Sequence, residues 1–211
     1  MKIAFVHTYG NAWYSKAIKK ISGGEFNHSL VMVEVETMKD FAHLGLLASR
    51  DSEKRFYFES YWKKDPYTKK TGVHGPIVWS ELEELIARKP KKRGALIQWI
   101  ECDDEMIAQV VDALTVATSS IAYPLCQLLS NARTALFGSG MRRKDITRDR
   151  WTCSETVARM WKIIDAESLI DCLDIGNTLF FDMVMPSGRN YGLKEAVSRW
   201  GRCTKEERVV V

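Results

Sequence analysis

The stretch WTCSETVARM, residues 151–160, decides how the rest of the chain is interpreted. Its cysteine, Cys153, is followed by apolar residues at the spacings of three and four that predict an amphipathic helix: Val157, Met160, Trp161 and Ile164. A loop rich in glycine and charge precedes this stretch, so we expect Cys153 to lie at the start of the helix. The helix dipole and the unpaired N–H groups of a first turn lower the pKa of a cysteine from its reference value of about 8.5. Cys153 is therefore a candidate nucleophile, and the alternative is a buried structural cysteine.

A nucleophilic cysteine needs a base, and His28 has the strongest context of the four histidines. It follows the glycine turn at 23–24 and begins a predicted strand, and strand ends are common positions for catalytic groups. The alternative is a histidine that only caps the strand. His7, His43 and His74 are each expected to be surface or loop histidines.

Four short motifs follow one another along the chain: Gly-Glu-Phe-Asn-His-Ser at 24–29, Phe-Glu-Ser at 58–60, Tyr-Pro at 123–124 and Cys-Ser-Glu at 153–155. Their order resembles that of the circularly permuted NlpC/P60 proteins of the YiiX-like branch and, more distantly, the lecithin:retinol acyltransferase group. These are papain-like cysteine hydrolases in which the histidine precedes the cysteine in the chain. The resemblance implies an α+β fold, with an antiparallel sheet packed against the helix that carries the nucleophilic cysteine.

The resemblance also implies roles for individual residues. Cys153 would be the nucleophile, His28 the general base, and Glu59 the residue that orients the imidazole. Glu34 and Glu36 are the alternatives for the third role, although their alternation with valines is typical of the solvated face of a strand.

Tyr123 resembles the tyrosine that faces the reacting centre in the NlpC/P60 group. The resemblance implies that its hydroxyl stabilises an oxyanion together with the backbone N–H of Cys153. Tyr123 lies 30 residues before Cys153, a longer spacing than is typical of unpermuted members, and the alternative is a tyrosine that only packs.

Composition limits the class of protein. With 211 residues and 45% hydrophobic content, the chain is long enough for a single domain over 1–211, with 186–211 as a C-terminal extension. The net charge is +4, and the basic stretches fall in predicted loops, where solvation is the simplest interpretation and an anionic partner the alternative. No aromatic-interleaved or zinc-finger pattern indicates RNA or DNA, so no nucleic acid is expected.

The cysteine content and the hydropathy of the chain indicate where in the cell the protein is expected. Five cysteines without a CxxC pair favour a reducing compartment. The first apolar run is too short for a signal peptide, and no run approaches the roughly 18 apolar residues of a membrane span. We therefore expect a cytoplasmic chain without a transmembrane segment, with carriage in a phage particle as the alternative. No metal-ligand spacing is found, and neither metal nor cofactor is expected.

The expected function is that of a cysteine hydrolase, an amidase or peptidase that forms an acyl-enzyme on Cys153. A cell-wall peptide of peptidoglycan is the first substrate class considered. One alternative is a lipid acyl hydrolase or acyltransferase of the lecithin:retinol acyltransferase type. Another is a structural protein, such as a virion component, that kept the fold without the activity.

Periodicity and breakers predict the following elements. Strands are expected at 2–7, 28–36, 55–62, 76–79 and 95–102, and helices at 12–21, 80–88, 103–118, 124–137, 152–164 and 166–172. Ser80 and Glu83 have the spacing of a capping box for one of these helices. The tail at 201–211 is expected to be loose or to add an edge strand.

Overall fold

The computed structural model describes residues 1–10, 13, 16, 26, 28–46, 54–61, 71–88, 93–122, 150–164 and 202–209. Within these ranges the strands are β1 (Lys2–Tyr9), β2 (His28–Glu34), β3 (Arg55–Tyr61), β4 (Gly72–Val78), β5 (Gly94–Ile100) and β6 (Cys203–Val209). The helices are α1 (Met38–His43), α2 (Trp79–Ala87), α3 (Asp104–Ser120) and α4 (Cys153–Ile164).

The strands form one six-stranded sheet in the order β4-β3-β2-β1-β5-β6. Every neighbouring pair is antiparallel. The expected α+β class, with an antiparallel sheet, is confirmed.

Helices cover both faces of the sheet. Helices α3 and α4 pack on one face, where the buried strand residues include Ile3, Phe5, Val31, Val33, Phe56 and Phe58. Two α2 residues, Trp79 and Ile86, pack on the opposite face against Ala4, Val6, Leu30, Met32 and Ile97. Successive side chains of a strand point to opposite faces, and helices cover both faces, so both sets of side chains are buried. The central strands therefore have nearly continuous apolar sequences.

The helix starts differ in how they are capped. Asp103 caps α3 by accepting the N–H of Met106, as expected for an acidic residue at that position. The capping box expected at Ser80 and Glu83 is wrong: α2 begins at Trp79, its N-cap makes no side-chain hydrogen bond, and Glu83 accepts the indole N–H of Trp79 instead. The short helix α1, which was not expected, has a capping box of its own.

The C-terminal tail adds an edge strand. Strand β6 pairs with β5, so this part of the expected 186–211 extension belongs to the main sheet. The expected helices at 124–137 and 166–172 lie outside the described residues. Of the expected helix at 12–21, only Trp13 and Lys16 are described, and both are helical.

None of the helices in the described ranges has the length and apolar character that a membrane span requires.

Candidate functional site

Cys153 is the first residue of α4, and a buried capping box holds it there. The backbone N–H of Thr152 donates to Oε2 of Glu155 at 2.7 Å, and the N–H of Glu155 donates to Oγ1 of Thr152 at 3.2 Å. Thr152, Cys153 and Glu155 are all buried. The Thr-x-x-Glu spacing is a recognised signature of a helix start, so this capping box could have been predicted from the sequence. The reciprocal bonds give the nucleophile candidate a defined position.

The residue two positions before the cysteine is tied to two other elements. The N–H of Trp151 donates to the carbonyl of Ala122 at 3.0 Å, just after α3. The carbonyl of Trp151 accepts the hydroxyl of Ser60, on β3, at 2.6 Å. The start of α4 is therefore fixed to the sheet and to the end of α3, a contact that sequence reasoning missed because it joins distant parts of the chain.

The segment after α3 lies directly against β4 because Gly72 has no side chain. The N–H of Val73 donates to the carbonyl of Ile121 at 3.4 Å, and a Cβ on Gly72 would overlap that carbonyl oxygen. Ala122, which follows, is bridged to Arg150. The structure thus brings Ala122, the residue before Tyr123, next to Arg150, although the two are far apart in the chain. Tyr123 itself lies outside the described residues, and its oxyanion role stays a prediction.

His28 and Glu59 form a short hydrogen bond at the end of the sheet. His28 is the first residue of β2, and its Nε2 donates to Oε2 of Glu59, on β3, at 2.7 Å. The two side chains are 16% and 19% exposed, so the bond is only partly accessible to water. The Tyr61 ring packs against the imidazole in a T-shaped arrangement, with 5.8 Å between the ring centroids. Because Glu59 holds Nε2, the other ring nitrogen of His28 is left for a second partner.

The side chain of Cys153 also lies close enough to the His28 imidazole to act on its pKa by charge and hydrogen bonding. Burial favours the neutral imidazole, but the charge and hydrogen bond of Cys153, followed by those of Glu59, raise the pKa of His28 to about 10. The raised pKa favours the imidazolium form of His28 beside the Cys153 sulfur and the Glu59 carboxylate. The structure brings together three of the four sequence-predicted site residues.

The alternatives to Glu59 lie at the other end of the strands. Glu34 accepts from Nε of Arg55 at 2.6 Å, and Glu36 pairs with Nζ of Lys2 at 2.7 Å. The antiparallel register of β2 and β3 explains this separation, because it pairs Glu34 with Arg55 and brings Glu59 beside Leu30, two residues from His28. The structure thus places Glu59, and not Glu34 or Glu36, against the histidine.

Of the other three histidines, His43 is exposed as expected, whereas His7 and His74 differ from the expectation of surface or loop positions. The prediction for His7 is wrong: this residue lies within β1 and is 2% exposed. Its burial is possible because a polar network satisfies its ring. His74 lies in β4 rather than in a turn, and is the cross-strand partner of Glu59. His43 ends α1 and pairs with Asp112 at 3.1 Å.

The Ser60 contact leads to a first prediction. Ser60→Ala leaves the Trp151 carbonyl without its hydroxyl donor, so we expect Cys153 to react about 10-fold more slowly with iodoacetamide at pH 7 and stability to fall by about 1 kcal/mol. Peptide mass mapping measures the labelling, and urea unfolding measures the stability. Ser119→Ala is the control, since that hydroxyl also donates to a backbone carbonyl but on the exposed side of α3. Unchanged labelling in Ser60→Ala would rule out a role for the tether in positioning Cys153.

Comparisons of the chain with family models, curated proteins and solved structures found no match. Within the described ranges, no three His, Cys, Asp or Glu side chains form a group that could hold a metal ion.

Proposed function

We propose that this chain is a cysteine hydrolase of the papain-like type that cleaves an amide bond through an acyl-enzyme on Cys153. The observation that carries the proposal is the contact of His28 with both Cys153 and Glu59. A nucleophile, a base and a group that orients the base, in consecutive hydrogen bonds, form the arrangement used in covalent acyl transfer. The antiparallel sheet and a helix that begins at the cysteine support a permuted NlpC/P60 fold.

In the first half of the reaction, the Cys153 thiolate attacks the carbonyl carbon of the amide. A bond forms between the sulfur and the carbon, and the carbonyl oxygen becomes an oxyanion. The His28 imidazolium then gives its proton to the leaving nitrogen, the C–N bond breaks, and the amine departs. The acyl group remains on Cys153 as a thioester, and His28 is now neutral.

In the second half, neutral His28 takes a proton from a water molecule that attacks the thioester. The C–S bond breaks, the acid product leaves, and the thiolate–imidazolium pair forms again. Glu59 orients the ring by accepting the hydrogen bond from Nε2. The Cys153 N–H at the start of α4, with the Tyr123 hydroxyl, would stabilise the oxyanion.

The proposed substrate class is a peptide amide, with the stem peptide of peptidoglycan as the first case. The resemblance to NlpC/P60 enzymes supports this choice. A lipid acyl substrate would use the same thioester chemistry, so incubation with peptidoglycan fragments and with phospholipid vesicles in parallel distinguishes the two. Release of a new amino group supports the amide substrate, and release of fatty acid contradicts it.

The test of the nucleophile is the pH dependence of iodoacetamide labelling at each cysteine of the native chain. We expect Cys153 to label fast well below pH 8, because the His28 imidazolium stabilises the thiolate. Cys102 is an internal control, since burial and the Asp103 carboxylate raise the pKa of its thiol to about 11. Burial also raises the pKa of Cys203. If Cys153 labels no faster than Cys102, the proposed function fails.

A further inference from the structure

A row of buried polar side chains crosses the centre of the sheet. Nδ1 of His7 lies 3.0 Å from Oγ of Ser29, and Nε2 of His7 lies 3.0 Å from Oε1 of Gln98. Nε2 of Gln98 donates to Oε1 of Glu206 at 2.8 Å. His7, Ser29 and Gln98 are buried, while Glu206 is exposed on the edge strand β6. We call these four residues the His7 chain.

The hydrogen bonds of the His7 chain have one direction. The carboxylate of Glu206 can only accept, so the Gln98 amide donates to it and presents its carbonyl oxygen to His7. That oxygen can only accept, so Nε2 of His7 carries a proton and donates. In a neutral His7, Nδ1 is then the acceptor for the Ser29 hydroxyl. Every donor points toward Glu206, an arrangement in which successive bonds polarise one another.

The His7 chain ends beside His28. Thr8 is the cross-strand partner of His28, and His7 is the partner of Ser29, the next residue. The ring of His7 also contacts that of Phe26, with 5.8 Å between the centroids. His7 therefore contacts residues on both sides of His28 in the chain, two positions before it and one position after it.

Apolar side chains fill most of the sheet interior, so three buried polar residues in its middle strands need a reason. A buried polar network is costly unless every member is satisfied, but a satisfied one allows a single arrangement where apolar packing allows several. Here the arrangement that it specifies is the position of the first residues of β2.

We propose that His7 is a positioning residue for His28, holding the start of β2 through Ser29 so that the His28 imidazole stays between Glu59 and Cys153. The inference rests on the proposed function for the importance of that contact, although its geometry is independent of any substrate. His7 itself touches no reacting atom.

The test is an NMR titration of the His28 ring, whose resonance is assigned by its loss in His28→Ala. In the unmodified chain we expect a midpoint near 10. His7→Phe keeps a ring beside Phe26 but removes both hydrogen bonds. We expect the midpoint to fall by about one pH unit, since a displaced imidazole loses part of its contact with two anionic partners.

The double variant decides whether His7 acts through Ser29. Ser29→Ala should lower the midpoint by the same amount as His7→Phe, and the two changes together should lower it no further. Ile107→Ala, which creates a cavity at the start of α3, is the control for general loss of stability, and it should leave the midpoint unchanged. An unchanged midpoint in His7→Phe, or additive shifts in the double variant, would overturn the inference.

The titration tests the positioning role of His7 separately from the proposed hydrolase function. The titration reads the position of His28 whether or not the chain hydrolyses a substrate. A chain without hydrolase activity whose midpoint falls in His7→Phe refutes the proposed function and supports the positioning role. An active chain whose midpoint does not move refutes the positioning role alone.

Discussion

Replacing His28 with alanine is expected to lower kcat/KM for amide hydrolysis by about 10³-fold. In the proposed mechanism, the change removes both the group that stabilises the Cys153 thiolate and the proton donor for the leaving amine. It also leaves Glu59 without the imidazole that it now binds. The measurement is the rate of amine release from a peptide amide at pH 7, with Cys153 labelling followed in the same samples.

His43→Ala is the matched control for this experiment. His43 is also a histidine paired with a carboxylate, that of Asp112, but it is exposed at the end of α1 and is not part of the candidate site. We expect its variant to keep full activity. If His28→Ala keeps hydrolysis and Cys153 labelling within about 3-fold of the unmodified chain, His28 is not the base.

The pKa of His28 also predicts the shape of the pH profile. In the proposed mechanism the leaving amine takes its proton from the imidazolium, which is the form that predominates below the pKa of about 10. Hydrolysis by the unmodified chain should therefore stay on a plateau from neutral pH upward and fall as the pH passes about 10.

Replacing Glu59 is expected to have the second-largest effect. Glu59→Ala removes both the acceptor that orients the ring and its charge, so we expect a loss of about 10²-fold in kcat/KM. Glu59→Gln keeps an oxygen that can accept from Nε2 but removes the charge, and should lose about 10-fold, with a lower pKa for His28. The difference between the two variants separates orientation from charge. Steady-state kinetics on the same peptide amide provide the measurement.

Glu34→Gln is the matched control, because Glu34 lies on the neighbouring strand, is also 19% exposed and also holds a positively charged side chain. Its ion pair with Arg55 is far along β2 from His28, so activity should be unchanged. Loss of activity in Glu34→Gln with full activity in Glu59→Gln would show that Glu34, and not Glu59, orients the imidazole.

Much of the fold could be predicted because its signals are local. The apolar period after Cys153 predicted α4, which begins one residue from the expected boundary. The extended runs at the starts of β1, β2 and β3 were found in the same way. Helix α1 was missed because it is short and lies outside any long apolar period, although Thr37 and Asp40 form a capping box at its start.

The sequence by itself indicated which residues are candidates for covalent catalysis and determined where their helix and strands begin, because capping and periodicity depend on near neighbours. Only the tertiary structure decided which of several carboxylates meets His28, because strand register depends on pairing between distant segments. It also decided that His7 is buried and that Ser60 anchors the residues before Cys153. Those contacts join parts of the chain 91 residues apart, and no local pattern in the sequence records them.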